Sequence, residues 1–192
     1  MARAKTFEVY DALEAAMLLF WRNGYEATSM QSLEQATGLK RTSLYHAFGN
    51  KRALFNKALH LYFETVLAKF LDVIEAAPTA KMAVQAALDE TIALHFTPSH
   101  PGGCMIVLAL AESEQHDDET RAVLKSALVK LRDGLAKRLK RAAAEGELGG
   151  DTNRGALADQ VVAVITGIIV MARAGFSQER LKAVAKLTVQ DF

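Results

Sequence analysis

Five cations, Lys40, Arg41, Lys51, Arg52 and Lys57, fall in a stretch with no acidic residue between Glu34 and Glu64. Thr42, Ser43, Tyr45 and His46 lie among them, side chains that bond phosphate oxygens or reach base edges, the threonine and serine also able to touch a thymine methyl. The whole chain carries a formal charge of only +1 at pH 7, so this positive field is local. A phosphate backbone is the partner such a field attracts. Bond-making chemistry has no comparable signature. The chain lacks a phosphate-cradling glycine loop, a metal-spaced Cys/His set and a nucleophile elbow, so it reads as a non-enzyme with no cofactor and no metal.

Elements at the right spacing exist to position these side chains. Thr28 and Gln31 have the spacing of a capping box, which starts a helix near Ser29 with Met30, Leu33 and Ala36 on its apolar face. Gly38 stands at the sharp turn, where positive φ is needed, and a second short helix carries Leu39, Leu44 and Phe48 inward. This is the sequence form of a helix-turn-helix. Lys40 and Arg41 begin the second helix, where the macrodipole disfavours cations by a few tenths of a kcal/mol. Helix stability does not explain them, whereas DNA contact does, because the first residues of a recognition helix are the ones that reach the major groove. Asn50 can cap the following helix and leave Lys51 to meet a phosphate at its N-terminus. The candidate DNA-contacting residues are therefore Thr28, Lys40, Arg41, Thr42, Ser43, Tyr45, His46 and Lys51.

The run Thr28-Ser29-Met30, Leu33, Ala36-Thr37-Gly38-Leu39, Ser43-Leu44-Tyr45-His46-Ala47-Phe48-Gly49-Asn50-Lys51 and Leu54 resembles the DNA-binding signature of the tetracycline-repressor (TetR) family. Leu13, Ala16, Leu19-Phe20 and Gly24-Tyr25 fit that family's first helix, so the resemblance covers roughly residues 7 to 60. Two positions depart from it. Lys40 stands where a small hydroxyl residue often caps the recognition helix, and Ala47 where histidine or tyrosine is common. The resemblance implies an all-α protein with an N-terminal three-helix DNA-binding head and a C-terminal helical effector-binding and dimerisation domain. It also implies a transcriptional regulator, a repressor, that binds a palindromic double-stranded operator as a homodimer through its last two helices. The alternatives are a constitutive sequence-preferring DNA-binding protein without an effector and, behind it, an enzyme.

The remainder of the chain must supply the second domain. The expected division is residues 1–50 for DNA binding and 51–192 for effector binding and dimerisation. Arg3 and Lys5 belong to a short basic arm, read as a solvated tail or as a minor-groove arm. Thr6 can cap a first helix that ends at Asn23-Gly24. From Asn50 the apolar pattern continues unbroken to Ala77-Pro78, which predicts one long helix leaving the head. Displacing its far end would change the spacing of two recognition helices against half-sites about 34 Å apart. A helix capped by Thr79, a break at 97–103, a short apolar helix from Cys104 and a long amphipathic helix with outward Lys and Arg follow. Asp151 can cap a helix over 152–174 that is apolar nearly all round and so needs two partners, its own core and a second subunit. Ser177 caps the last helix.

The effector is an unidentified small molecule or electrophile. Phe63, Leu67, Ile92, Phe96, Met105, Leu108, Leu128 and Ile165 are candidate cavity walls or plain core, with Glu64, His95 or Glu112 available to orient a polar group. Cys104, the single cysteine, has three readings: a small buried hydrophobe, a thiol activated at a helix start, or a soft-metal ligand with His100 or Met105. The longest apolar run, Val161 to Ala172, falls short of the ~20 residues that span a bilayer. With no signal peptide legible after Met1, the sequence reads as a cytoplasmic protein without a membrane partner.

Overall fold

The computed structural model describes residues 2–98, 100–149 and 152–192, with the side chains of 2–8 and 191 excepted. Among the described residues the chain forms α-helices and no strand: α1 Ala2–Asn23, α2 Met30–Thr37, α3 Arg41–Phe48, α4 Lys51–Tyr62, α5 Ala68–Ala76, α6 Ala80–Phe96, α7 Met105–Ala111, α8 Asp118–Ala144, α9 Arg154–Arg173 and α10 Gln178–Thr188. The long helix expected after Asn50 is interrupted by a π-helical segment, Phe63–Leu67, between α4 and α5. Five residues are too few for the wider i→i+5 turn to register in the apolar period, so periodicity alone could not show the change.

The helices form two compact units. The first runs to Thr65 and takes in Met105–Leu124; the second comprises Val66–Cys104 and Lys125–Phe192. These bounds differ from a division at residue 50. Leu54, Phe55, Ala58, Leu59, Leu61 and Tyr62 of α4 are buried, and α4 packs along α1, so α4 belongs to the core of the first unit. Phe20 and Tyr25 meet Phe55 with ring centroids 5.0 Å away in each case, while Trp21 and Tyr62 pack edge to face at 4.9 Å.

Several local readings change. The first helix begins at Ala2, before Thr6. Thr28 does not cap α2. Its hydroxyl donates to the Gly24 carbonyl at 2.7 Å and its side chain is wholly buried, so the cap falls to Ser29, which forms a reciprocal box with Ser32. Asp151 lies outside the described residues, and Asn153 caps α9 by accepting the Ala156 N–H at 3.1 Å. Arg138 of α8 faces inward, seven positions after Leu131 on the same side of the helix, although the expectation put the Lys and Arg of this helix outside. It is 1% exposed and donates to the Ala77 carbonyl at 3.2 Å and to Glu147 at 3.3 Å. Glu147 also accepts the Ala80 N–H, which ties the start of α6 to the same cluster.

In the second unit α6 packs against α5, α9 and α10. The inner stripe of α9 is Ala158, Val161, Ile165, Ile168, Ile169 and Ala172. This 20-residue helix, with mean hydropathy 1.9 over its most apolar 18 residues, is long and apolar enough by composition to cross a membrane, contrary to the reading from the uninterrupted run. Its packing on α6 accounts for the inner apolar stripe as protein core. Outside that stripe Val170 is 58% exposed, and Leu187 on α10 is 63% exposed.

Candidate nucleic-acid interface

Gly38 closes α2 in the left-handed region, φ 70°, with its N–H on the Glu34 carbonyl at 3.0 Å. The chain then enters α3 at Lys40, whose extended backbone is that of an N-cap but whose side chain caps nothing. The Arg41 N–H is instead taken by the Glu34 carboxylate at 2.6 Å. Leu44 and Phe48 bury the inner side of α3, and Lys40, Arg41, Thr42, Ser43, Tyr45 and His46 are all exposed. These six predicted residues therefore share one short element with an open outer surface. Arg41 lies over the Tyr45 ring at 5.6 Å and donates to its hydroxyl at 3.4 Å, an arrangement that holds the guanidinium along the helix.

Lys51 and Thr28 are placed differently. Asn50 caps α4 as expected, accepting the Ala53 N–H at 2.9 Å. The Lys51 ammonium folds back over the Tyr25 ring at 4.3 Å and approaches the Glu26 carbonyl at 3.5 Å. Its charge stays at the start of α4, partly held by the aromatic face. Thr28 is sealed in the core and offers no side-chain atom to a phosphate. Arg52 is likewise committed, pairing with Asp117 at 3.1 Å.

Residues 112–120 brace the same unit, a role that sequence reasoning missed even for Glu112, which it read only as a polar group for an effector. Glu112 accepts the Tyr25 N–H at 2.8 Å, and the Thr120 hydroxyl donates to Asn56 at 2.9 Å. His116 is buried, stacked on Phe55 at 5.3 Å and edge-on to Tyr25 at 5.4 Å, with Nε2 3.2 Å from the Ala109 carbonyl. Burial pushes its imidazole below the ordinary histidine range, an effect that the Ala109 bond and Glu112 partly oppose. Hydrogen bonding from Thr120, whose N–H donates to the carboxylate at 2.9 Å, and then Arg52 hold Asp117 down at about 2. The only sequence cue was the polar run 114–119, which carries no sign of its distant partners.

The candidate effector residues are spread over both units. Phe63, Met105 and Leu108 belong to the first; Leu67, Ile92, His95, Phe96, Cys104, Leu128 and Ile165 belong to the second. Leu67, Ile92, Met105 and Ile165 are buried, whereas Phe96 is exposed beside His95, with ring centroids 4.9 Å apart. His95 Nδ1 is buried with no hydrogen-bond partner among the described residues. Burial, reinforced by the Arg173 charge, lowers the His95 pKa, so the neutral ring is favoured. Cys104 is half-buried and follows Gly102 and Gly103, both at positive φ. No group of three or more His, Cys, Asp or Glu side chains among the described residues has the arrangement of a metal site.

Known proteins share both halves of this arrangement. Residues 12–58 match the family described as bacterial regulatory proteins, tetR family, and residues 80–187 match the tetracyclin repressor-like C-terminal domain. The HTH-type transcriptional repressor ComR of Escherichia coli (strain K12) is 32% identical over 98% of this chain and 90% of its own length. The HTH-type transcriptional regulator YezE of Bacillus subtilis (strain 168) is 31% identical over 95% and 94%. A solved cysteine mutant of the TetR family regulator CifR, complexed with 26-bp operator DNA, is 34% identical, covers 94% of each chain and superposes with a TM-score of 0.86. With its head and its C-terminal helices both matched and near full-length relatives above 30% identity, this chain belongs to the tetR family of bacterial regulatory proteins.

Proposed function

We propose that two copies of this chain bind a palindromic operator and repress transcription until an effector releases them. The observation that carries this reading is the outer face of α3, where Lys40, Arg41, Thr42, Ser43, Tyr45 and His46 stand exposed on a helix anchored by Leu44 and Phe48. Lys51 supplies a phosphate contact at the start of α4. The repressor name of ComR and the operator complex of CifR support the same reading. Exposed Val170 and Leu187 support pairing of copies through α9 and α10, because large apolar side chains at such exposure are covered in a dimer.

The effector acts in the second unit, where His95 Nδ1, buried and with no hydrogen-bond partner among the described residues, supports a polar contact to a small molecule beside Ile92 and Phe96. Reaction of the half-buried Cys104 thiol with an oxidant or electrophile is the second route to release. Either route must favour the released state by a few kcal/mol to change occupancy appreciably.

The test is a footprint of the purified full-length protein on DNA upstream of its own gene, with the mass of the particle measured in parallel. A protected inverted repeat and a dimeric particle are expected. A monomer with no preference for any duplex over random competitor at low salt removes the proposal.

A further inference from the structure

The structure assigns to Glu34 the capping of the recognition helix, and with it a share of operator specificity. This rests on the DNA-binding reading above. Ordinarily the residue before α3 would accept one of its first N–H groups, as Ser29, Asn50, Thr79 and Ser177 do for α2, α4, α6 and α10. Lys40 has no acceptor and caps nothing. Glu34, on α2 and seven positions before Arg41, fills the role from outside, its carboxylate accepting the Arg41 N–H at 2.6 Å. Its own carbonyl meanwhile accepts the Gly38 N–H that closes α2. One residue thus terminates the first helix of the motif and opens the second.

Two consequences follow for DNA. Lys40 and Arg41 put positive charge on a helix end that is already electropositive, and the Glu34 anion offsets it, so the first turn stays wound while its cations remain available. The carboxylate also occupies the position a DNA phosphate would otherwise take at the α3 N-terminus. Phosphate is kept off that end, and the Arg41 guanidinium, held beside Tyr45, stays on the exposed side of α3 where base edges are read. Glu34 is a positioning residue: its effect on DNA passes through Arg41.

The experiment compares wild type, Glu34→Ala, Glu34→Gln, Lys40→Ser and the Glu34→Ala/Lys40→Ser double variant, binding operator and random duplex at one salt concentration. Hydrogen exchange at residues 41–43 is followed in the free proteins. Glu34→Ala is expected to lose about three- to thirtyfold in operator affinity per head, the range a lost cap corresponds to, with random-duplex affinity equal or higher. Faster exchange at the start of α3 accompanies it. Glu34→Gln keeps an acceptor but loses the charge, so its operator preference falls between those of wild type and Glu34→Ala. Lys40→Ser restores a local cap, so it improves binding in the Glu34→Ala background relative to its effect in wild type. Wild-type discrimination in Glu34→Ala overturns the inference, as does an equal loss in Ala and Gln variants with no benefit from Lys40→Ser. Absence of operator preference in the wild type would instead overturn the DNA-binding reading itself.

Discussion

The Glu112 carboxylate accepts the Tyr25 backbone N–H at 2.8 Å, across 87 positions of sequence. Tyr25 follows Gly24, which ends α1 at φ 82°, and a Cβ on that glycine would come within 2.5 Å of Glu112 Oε1. The end of α1 and the segment after α7 are therefore fitted to one another through bare backbone. Arg52 with Asp117 and Asn56 with Thr120 extend the same brace along α4.

Glu112→Ala leaves the Tyr25 N–H without its acceptor, at an expected loss of about 1–3 kcal/mol. For a chain of this size that lowers the melting midpoint by roughly 3–10 °C. Gly24→Ala should do at least as much damage, since it adds a collision to an unfavourable backbone conformation. Calorimetry on the two variants checks this, and unaltered midpoints would show that the brace carries no stability.

The buried His116 gives a pH dependence of definite sign. Its folded pKa lies below the ordinary value, so the unfolded chain takes up the proton first as pH falls. Its contribution to stability is complete above about pH 6.5 and is lost as pH falls toward the folded value. Glu112 favours the protonated ring and Arg52 opposes it, without reversing the direction. His116→Phe should flatten the dependence of denaturation midpoint on pH between 7 and 5, as read from urea melts. An identical slope in both proteins would assign the pH response to other groups.

Arg41 and Lys51 are expected to fail differently on substitution. Arg41→Ala weakens operator binding and erodes base preference, because its guanidinium projects from the exposed side of α3 beside Tyr45. Lys51→Ala lowers affinity for every duplex and reduces the salt slope by about 1. It also removes the ammonium from the Tyr25 ring, so a small fall in melting midpoint accompanies it. Salt-dependent anisotropy titrations on operator and random duplex separate the two.

Leu187→Asp places a charge on a side chain that is already 63% exposed in a single copy. The expected result is a folded helical monomer with much weaker operator binding, seen by light scattering and circular dichroism. A dimer of wild-type affinity would move the pairing surface away from this part of α10.

The residues that meet DNA in this reading were legible because their signals are local. A glycine at the turn, apolar side chains at Leu33, Leu44 and Phe48, and cations in an acid-free run all act within a few residues of one another. The all-helical character was equally legible from periodicity and the rarity of breakers. Local spacing misled where two residues competed for one role: Thr28 and Ser29 can both cap, and only the approach of Gly24 shows that the Thr28 hydroxyl turns inward. The inward turn of Arg138 and the back-folding of Lys51 onto Tyr25 were hidden for the same reason, since each depends on a carbonyl, carboxylate or ring brought close by folding.

By itself, then, the sequence determined the helix-turn-helix, its outward cations and the helical class, because these follow from hydrophobic period, turn chemistry and charge over short distances. Tertiary structure alone decided that Glu34 opens α3, that Glu112 and His116 hold the far side of the head, and that α4 belongs to the first unit's core. Those outcomes rest on unsatisfied backbone N–H groups and exposed ring faces finding partners, and a hydrogen bond acts over about 3 Å whatever the separation along the chain.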